Sequence, residues 1–275
     1  VEIGGSTRLL AVLGDPVAHS LSPHMQNAAC RALGLDAAYM ALHVSPEGLP
    51  EVLAALRAVG GAGNVTVPHK EAAERHVTRK TGLCARVGAC NTFWTERRDL
   101  VGDNTDVVGI GAALKELGVD GGAGVAWLVV GTGGSARAAA VAAADARARL
   151  RIQSRDPARA SAFAVWAKSI GADAAPATAR QRADVAINAT PLGLRRDDPL
   201  PLDPPAPPGA RAALDLVYAR GETAWIRAAR AAGLRAADGR SVLVHQGMAA
   251  FQRFFPAEVA PLEVMRAAVE RALGA

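Results

Sequence analysis

Lysine is scarce in this sequence. Four lysines (Lys70, Lys80, Lys115, Lys168) stand against 27 arginines. Arginine is used wherever a bare positive charge suffices, so each lysine position needs its own reason. Cysteine is scarcer: Cys30, Cys84 and Cys90 form no CxxC pair. That argues against a disulfide scaffold and fits a reducing compartment. No His, Cys and Asp cluster has ligand spacing, so no metal site is expected. Aromatic residues make up 4% of the chain. No basic block carries interleaved aromatics, so nucleic acid is not an expected partner. No apolar run nears the roughly 18 residues that cross a bilayer, so no membrane span is expected. The stretch "VEIGGSTRLLAVLG" lacks a cationic segment ahead of its apolar part, unlike a signal peptide. The expectation is a soluble, cytoplasmic protein.

What is present is alanine, glycine and rhythm. The chain has 275 residues, half of them hydrophobic, with 28 glycines and a net charge of +5. The arginines are spread singly along helical stretches, and the mild positive excess suits an anionic small-molecule ligand. Strands are predicted over 9–14, 39–44 and 64–67, and helices over 23–33 and 47–59. This βαβαβ alternation predicts an α/β protein whose parallel sheet is covered by helices. "CNTFW" reads as a further strand. A helix then runs from Asn104 or Thr105 to about Leu117 and stops at Gly118. A second series follows, with strands over 125–130, 150–154, 185–189 and 213–217 and a helix over 157–170. "DDPLPLDPPAPPGA" reads as a proline-rich loop. Two helices, 242–255 and 261–273, complete the pattern.

The strongest local signal is "VAWLVVGTGGSARAAAVAAA". An apolar strand leads into Gly131-x-Gly133, then Gly134, Ser135 and Ala136 open a helix of small residues. Gly131 permits the tight turn. Gly133 lets a pyrophosphate approach the backbone, and Ala136 permits close helix–strand packing. Phosphates then meet free N–H groups at a helix N-terminus. The next strand should end in an acidic residue if the cofactor carries a free ribose 2′-OH. It ends in Ser154 and Arg155, with Arg159 one turn on. These arginines suit a 2′-phosphate, hence NADP. Asp156 leaves NAD open, because its carboxylate could take the ribose hydroxyl.

Polar clusters also gather at element ends in the first half: Ser20 with Ser22, Asn64 to Lys70, Asn91 with Thr92, and Asn104 to Asp106. Parallel sheets bind ligands at the carboxyl ends of their strands. Each residue has a plainer reading beside the functional one. Ser22 could only cap the helix that follows. Thr66 could be a strand position, Asn91 a turn residue, and Asp106 a first-turn carboxylate.

Eight stretches together carry a resemblance: "GDPVAHSLSPHMQNAA", "NVTVPHK", "VGACNT", "GDNTDVVG", "VVGTGGSARAA", "NATPLGL", "DLVYARGET" and "VLVHQGMAAF". In order, and over nearly the whole chain, they resemble the shikimate dehydrogenase family, which includes shikimate and quinate dehydrogenases. The resemblance implies an N-terminal α/β substrate domain (1–104 plus 240–275) and a Rossmann-type dinucleotide-binding domain (105–239). The C-terminal helices would return to the first domain. It implies reduction of 3-dehydroshikimate to shikimate with NADPH, by a monomer or homodimer. Carried over by motif position, Lys70 and Asp106 would be the catalytic pair. Ser20, Ser22, Thr66, Asn91 and Gln246 would bind substrate, and Tyr218 would lie near substrate and nicotinamide. Thr190, in "NATPLGL", would join the cofactor residues. The usual Asn-Arg-Thr of the family reads Ser154-Arg155-Asp156 here, and the usual Tyr-Asn-Pro reads Tyr218-Ala219-Arg220.

The chemistry explains the lysine. Reducing a ring ketone needs a proton for the oxygen as well as hydride for the carbon. Lysine can supply that proton and its ammonium stabilises the developing alkoxide. Arginine does not release its proton at working pH. Gln246, on an apolar helical face with Leu243 and Ala250, reads as a ligand contact or a satisfied core amide. His69 reads as structural.

Overall fold

The computed structural model describes residues 3–119, 122–203 and 206–274, so residues 204 and 205 of the proline-rich loop lie outside the described part. The chain divides into two units, Val1–Thr105 with Leu243–Ala275, and Asp106–Val242.

In the first unit the elements are β1 (Arg8–Gly14), α1 (Ser22–Ala32), β2 (Ala37–His43), α2 (Leu49–Ala58), β3 (Ala62–Val65), α3 (Lys70–His76), β4 (Arg79–Lys80), α4 (Gly82–Val87), β5 (Thr92–Glu96) and β6 (Asp99–Asp103). The sheet order is β2-β1-β3-β5-β6-β4. β1 runs parallel to β2 and β3, as the alternating pattern predicts. β5 runs antiparallel to both β3 and β6. Only Arg97 and Arg98 separate β5 from β6, and so short a link cannot carry a parallel crossover. Arg97 takes a left-handed φ of 56°, so this hairpin lacks the Asn-Gly signal that would have announced it. Leu13, Leu49, Leu53, Phe93 and Leu100 are among the residues filling the core on one face of the sheet. β3 ends at Val65, so Thr66 and Val67, expected within the strand, follow it as loop residues.

The second unit contains α5 (Asp106–Glu116), β7 (Ala126–Val130), α6 (Gly134–Asp145), β8 (Arg149–Gln153), α7 (Pro157–Ser169), β9 (Asp173–Pro176), β10 (Val185–Asn188), β11 (Ala212–Asp215), α8 (Ala224–Ala231) and β12 (Arg235–Ala237). The sheet order is β12-β11-β10-β7-β8-β9, and every pairing is parallel. Read from β9, each strand's rank in the chain gives 3-2-1-4-5-6, the order of a doubly wound dinucleotide-binding sheet. The order reverses between β7 and β10. β7 is buried along its whole length, and α6 buries an alanine-rich face including Ala136, Ala139 and Ala140.

α9 (Arg240–Phe254) belongs to the first unit from Leu243 onward, as does α10 (Leu262–Leu273). α10 packs against α1. α9 also approaches α1: a Cβ on Gly247 would lie 2.1 Å from the Met25 methyl carbon. Gln26 Nε2 donates to Gly247 O at 3.0 Å. Glycine at this position lets the helix come close enough to present the adjacent Gln246.

Candidate active site

The residues expected to bind substrate collect along one edge of the first sheet. Ser20 and Ser22 follow β1, and Thr66 and Lys70 follow β3. Asn91 immediately precedes the antiparallel β5, which brings it to the same edge. Thr105 lies two residues past the end of β6. Backbone bonds tie these loops together: Thr66 N donates to Leu13 O at 2.8 Å, and Asp15 N to Val67 O at 3.1 Å. Cys90 N donates to Lys70 O at 2.8 Å. The candidate proton donor is therefore fixed at its backbone to the residue beside Asn91.

Asn91, Thr105 and Gln246 form one buried cluster. Asn91 Nδ2 donates to Thr105 Oγ1 at 3.1 Å and to Gln246 Oε1 at 3.4 Å. Thr105 N donates to Asn91 Oδ1 at 2.7 Å. Gln246 Nε2 is held by Leu243 O at 2.9 Å. Beneath it, Asn64 Nδ2 donates to Asn91 O and Thr92 Oγ1, and Tyr39 donates its hydroxyl proton to Asn64 Oδ1 at 2.7 Å. Asp103, 1% exposed, accepts from Thr81 Oγ1, Asn104 N and Arg253 Nε. It fastens the end of β6 to α9. The plainer readings separate here. Leu21, not Ser22, occupies the N-cap of α1, and no side chain caps that helix. Among the described residues neither the Ser22 nor the Thr66 hydroxyl has a partner. His69 Nε2 meets Val44 O at 2.7 Å and is buried, the structural role expected of it.

In the second unit the glycine turn lies where β7 meets α6. Gly131 has φ +116°, and a Cβ there would lie 2.8 Å from Ala189 O. The tight turn and the close approach of the loop after β10 both require glycine. Gly133 is the N-cap of α6 with no side-chain bond, and a Cβ there would meet nothing within 4 Å. That open cradle fits a pyrophosphate on the N–H groups of Gly134 and Ser135. At the tip of β8, Asp156 caps α7. Its Oδ1 accepts from Ala158 N at 2.9 Å and from Arg159 N at 3.4 Å, and Ser154 Oγ accepts from Asp156 N. The exposed guanidinium groups of Arg155 and Arg159 have no hydrogen-bond or ion-pair partner among the described residues. Two unpaired cations beside a helix N-terminus fit a dianionic 2′-phosphate.

Comparisons with known proteins decide the kinship. The family model for the shikimate dehydrogenase substrate binding domain matches residues 12–93. The model for the shikimate 5′-dehydrogenase C-terminal domain matches residues 239–270. The NADP(+) shikimate dehydrogenase of Moorella thermoacetica is 39% identical, over 100% of this chain and 97% of its own. The chain belongs to the shikimate dehydrogenase family. Among solved structures, the shikimate 5-dehydrogenase of Thermus thermophilus in complex with NADP(H) and shikimate is 37% identical, with a TM-score of 0.85 over 97% of this chain and 100% of that one. The Listeria monocytogenes shikimate 5-dehydrogenase in complex with shikimate and NAD is 27% identical, with a TM-score of 0.84 over 97% and 98%.

Sequence reasoning missed several residues that shape this shikimate dehydrogenase family site. Asp103 supports the Asn91 cluster, together with Asn64 and Thr105, which the sequence marks only as members of polar clusters. Asn188, Asp215 and Thr223 form a second buried network at the ends of β10 and β11. Asn188 Nδ2 donates to Asp215 Oδ1 at 2.8 Å, and Thr223 Oγ1 donates to Asp215 Oδ2 at 2.8 Å. Burial pushes the Asp215 carboxyl up to about 6, against the opposing effect of the hydrogen bonds it accepts. The available signal was a polar residue closing an otherwise apolar strand, as in "VAIN" and "AALD". The hydroxyl of Thr190 turns back to Asn188 Oδ1 at 2.7 Å and accepts from Leu192 N.

Proposed function

We propose that this protein is an NADP-dependent shikimate dehydrogenase that reversibly reduces 3-dehydroshikimate to shikimate, a step of aromatic amino-acid biosynthesis. The observation that carries the reading is the Asn91–Thr105–Gln246 cluster on the same sheet edge as Lys70. It offers fixed amide and hydroxyl groups for a polyhydroxylated ring beside a lysine able to transfer a proton. The first unit is the substrate domain and the second the dinucleotide domain.

Ser20, Ser22, Thr66, Asn91 and Gln246 bind and orient the substrate through its hydroxyls and carboxylate. NADPH, when bound, supplies the hydride for the ketone carbon. Gly131, Gly133, Gly134 and Ser135 would hold its pyrophosphate, and Ser154, Arg155 and Arg159 its 2′-phosphate, with Thr190 and Tyr218 near its nicotinamide end. Lys70 gives a proton to the ketone oxygen and takes one from the hydroxyl in the reverse direction. Asp106, buried at the start of α5, is the second member of the catalytic pair and accepts from a substrate hydroxyl. The chain works in the cytoplasm as a monomer or homodimer.

A second reading is a quinate/shikimate or aminoshikimate dehydrogenase using NAD or NADP, and Asp156 at the tip of β8 is what keeps NAD open. Initial rates with NADP and NAD on shikimate and on quinate separate the two. The proposal expects kcat/KM to be highest for NADP with shikimate. A preference for NAD, or for quinate, would replace it with the second reading.

A further inference from the structure

Asp215 has no part in the chemistry described above, yet it closes β11, an interior strand of the second sheet, with 0% exposure. Three donors converge on it. Asn188 Nδ2 and Val217 N reach Oδ1 at 2.8 and 3.0 Å, and Thr223 Oγ1 reaches Oδ2 at 2.8 Å. An ionised carboxylate is an acceptor at both oxygens and satisfies all three without rearrangement.

Each partner belongs to a different piece of the sheet's carboxyl edge. Asn188 ends β10 and organises the loop that follows: its Nδ2 also donates to Leu192 O at 2.9 Å, and its Oδ1 accepts from Thr190 N and Oγ1. Val217 is the second residue of the loop after β11, which carries Tyr218. Thr223 ends that loop and caps α8 by accepting from Ile226 N at 3.3 Å. Gly193, in the loop after β10, has φ +105° and places its Cβ direction 3.8 Å from Asp215 Oδ2. The two loops flank a pocket of about 380 Å³ lined by Gly193, Leu194, Arg195, Ala219, Arg220 and Thr223, among others.

We propose that Asp215 is a positioning residue for the redox reaction. It clasps the loops after β10 and β11 so that Thr190 and Tyr218 are held in register for the nicotinamide end of the cofactor. This rests on the dehydrogenase reading and on the roles given there to Thr190 and Tyr218. The device is local. Asp215 reaches those residues through Asn188 and Thr223, and would touch neither cofactor nor substrate. The network joins the loop that carries Thr190 to the loop that carries Tyr218.

The test uses the full-length protein. Asp215→Ala removes the acceptor for all three donors. Thr223→Val removes one donor, and Thr223→Ser keeps it together with the helix cap. Melting temperature, KM for NADP, KM for shikimate and kcat are measured for each. Losing a hydrogen bond to a charged group costs a factor of roughly 10 to 100. The expected result is a KM for NADP raised about tenfold or more in Asp215→Ala by that reasoning. Thr223→Val should show a smaller rise, and Thr223→Ser should match the parent. KM does not depend on the fraction of enzyme that is folded, so a purely structural role would lower the melting temperature and kcat and leave KM alone. That result in Asp215→Ala overturns the proposal. If Asp215→Ala does not fold, an unchanged KM for NADP in Thr223→Val overturns it. A parent enzyme that oxidises neither shikimate nor quinate with NADP or NAD would instead refute the dehydrogenase reading.

Discussion

On the proposed mechanism, Lys70 is the residue on which the chemistry turns. Lys70→Ala should lower kcat by roughly 100- to 10,000-fold, the usual cost of removing a general acid, with NADP binding unchanged. Lys70→Arg should fail as well, because guanidinium keeps its proton. Rescue by arginine in a steady-state assay would show that the site needs charge alone. Ser22 gives a contrasting case. Its hydroxyl caps nothing, so Ser22→Ala should not show the roughly 1 kcal/mol loss of stability that removing a helix cap causes. It should raise KM for shikimate, which it binds in ground and transition states alike. A melting curve and a kinetic run on one sample read both effects. Asp215 makes stability depend on pH. Its folded pKa is raised from 3.8 to about 6, chiefly by desolvation, so the folded state holds this proton more tightly than the unfolded one. The group's stabilising contribution is therefore full below about pH 4 and is lost as pH rises through about 6, a swing of about 3 kcal/mol at 1.36 kcal/mol per unit. Asp215→Asn cannot titrate. The stability of the parent relative to this variant should fall between pH 4 and 6, as denaturant titrations at several pH values would show. A constant difference would contradict the assigned shift.

At the scale of elements, the proposed function expects the N-terminus of α7 to set cofactor choice. The same three residues do two jobs: Asp156 caps the helix, while Arg155 and Arg159 present unpaired guanidinium groups. Losing one charge-assisted contact costs roughly 10- to 100-fold, so replacing both arginines by alanine should weaken NADP by at least that much and barely alter NAD. Equal loss of both cofactors, measured by binding titration, would assign the arginines to the fold or the pyrophosphate. Asp156→Ser keeps a capping oxygen and removes a negative charge from the phosphate's surroundings. It should tighten NADP while leaving the melting temperature in place.

At the scale of the whole molecule, the division of labour can be read by hydrogen exchange. NADP should protect amides within 106–242, most of all around the turn at Gly131 and the start of α7. Shikimate should protect the edge of the first sheet around 64–70, 91 and 105. Each ligand also stabilises by mass action, about 2.7 kcal/mol at a hundredfold excess over Kd. Protection by NADP confined to the first unit would reverse the assignment of the two units.

The sequence by itself determined the elements whose signals are local. The strand–glycine–helix turn at 126–145 was legible because its apolar run, its glycines and its small-residue helix lie within twenty contiguous positions. The four inner strands of the second sheet were legible as apolar runs, whereas its short edge strands β9 and β12 and helix α8 carried no such signal. Lys70 stood out through the chain's own preference for arginine. Tertiary structure decided what depends on partners far apart in the chain. The β5–β6 hairpin turns on Arg97 in a left-handed conformation that carries no compositional mark. Asn91 and Gln246 lie 155 positions apart and meet only because α9 packs close to α1 at Gly247. Asp215 could have been any polar residue closing a strand. Its role follows from Asn188 and Thr223 arriving beside it, and hydrogen bonds between buried groups are specified by where the folded backbone places them.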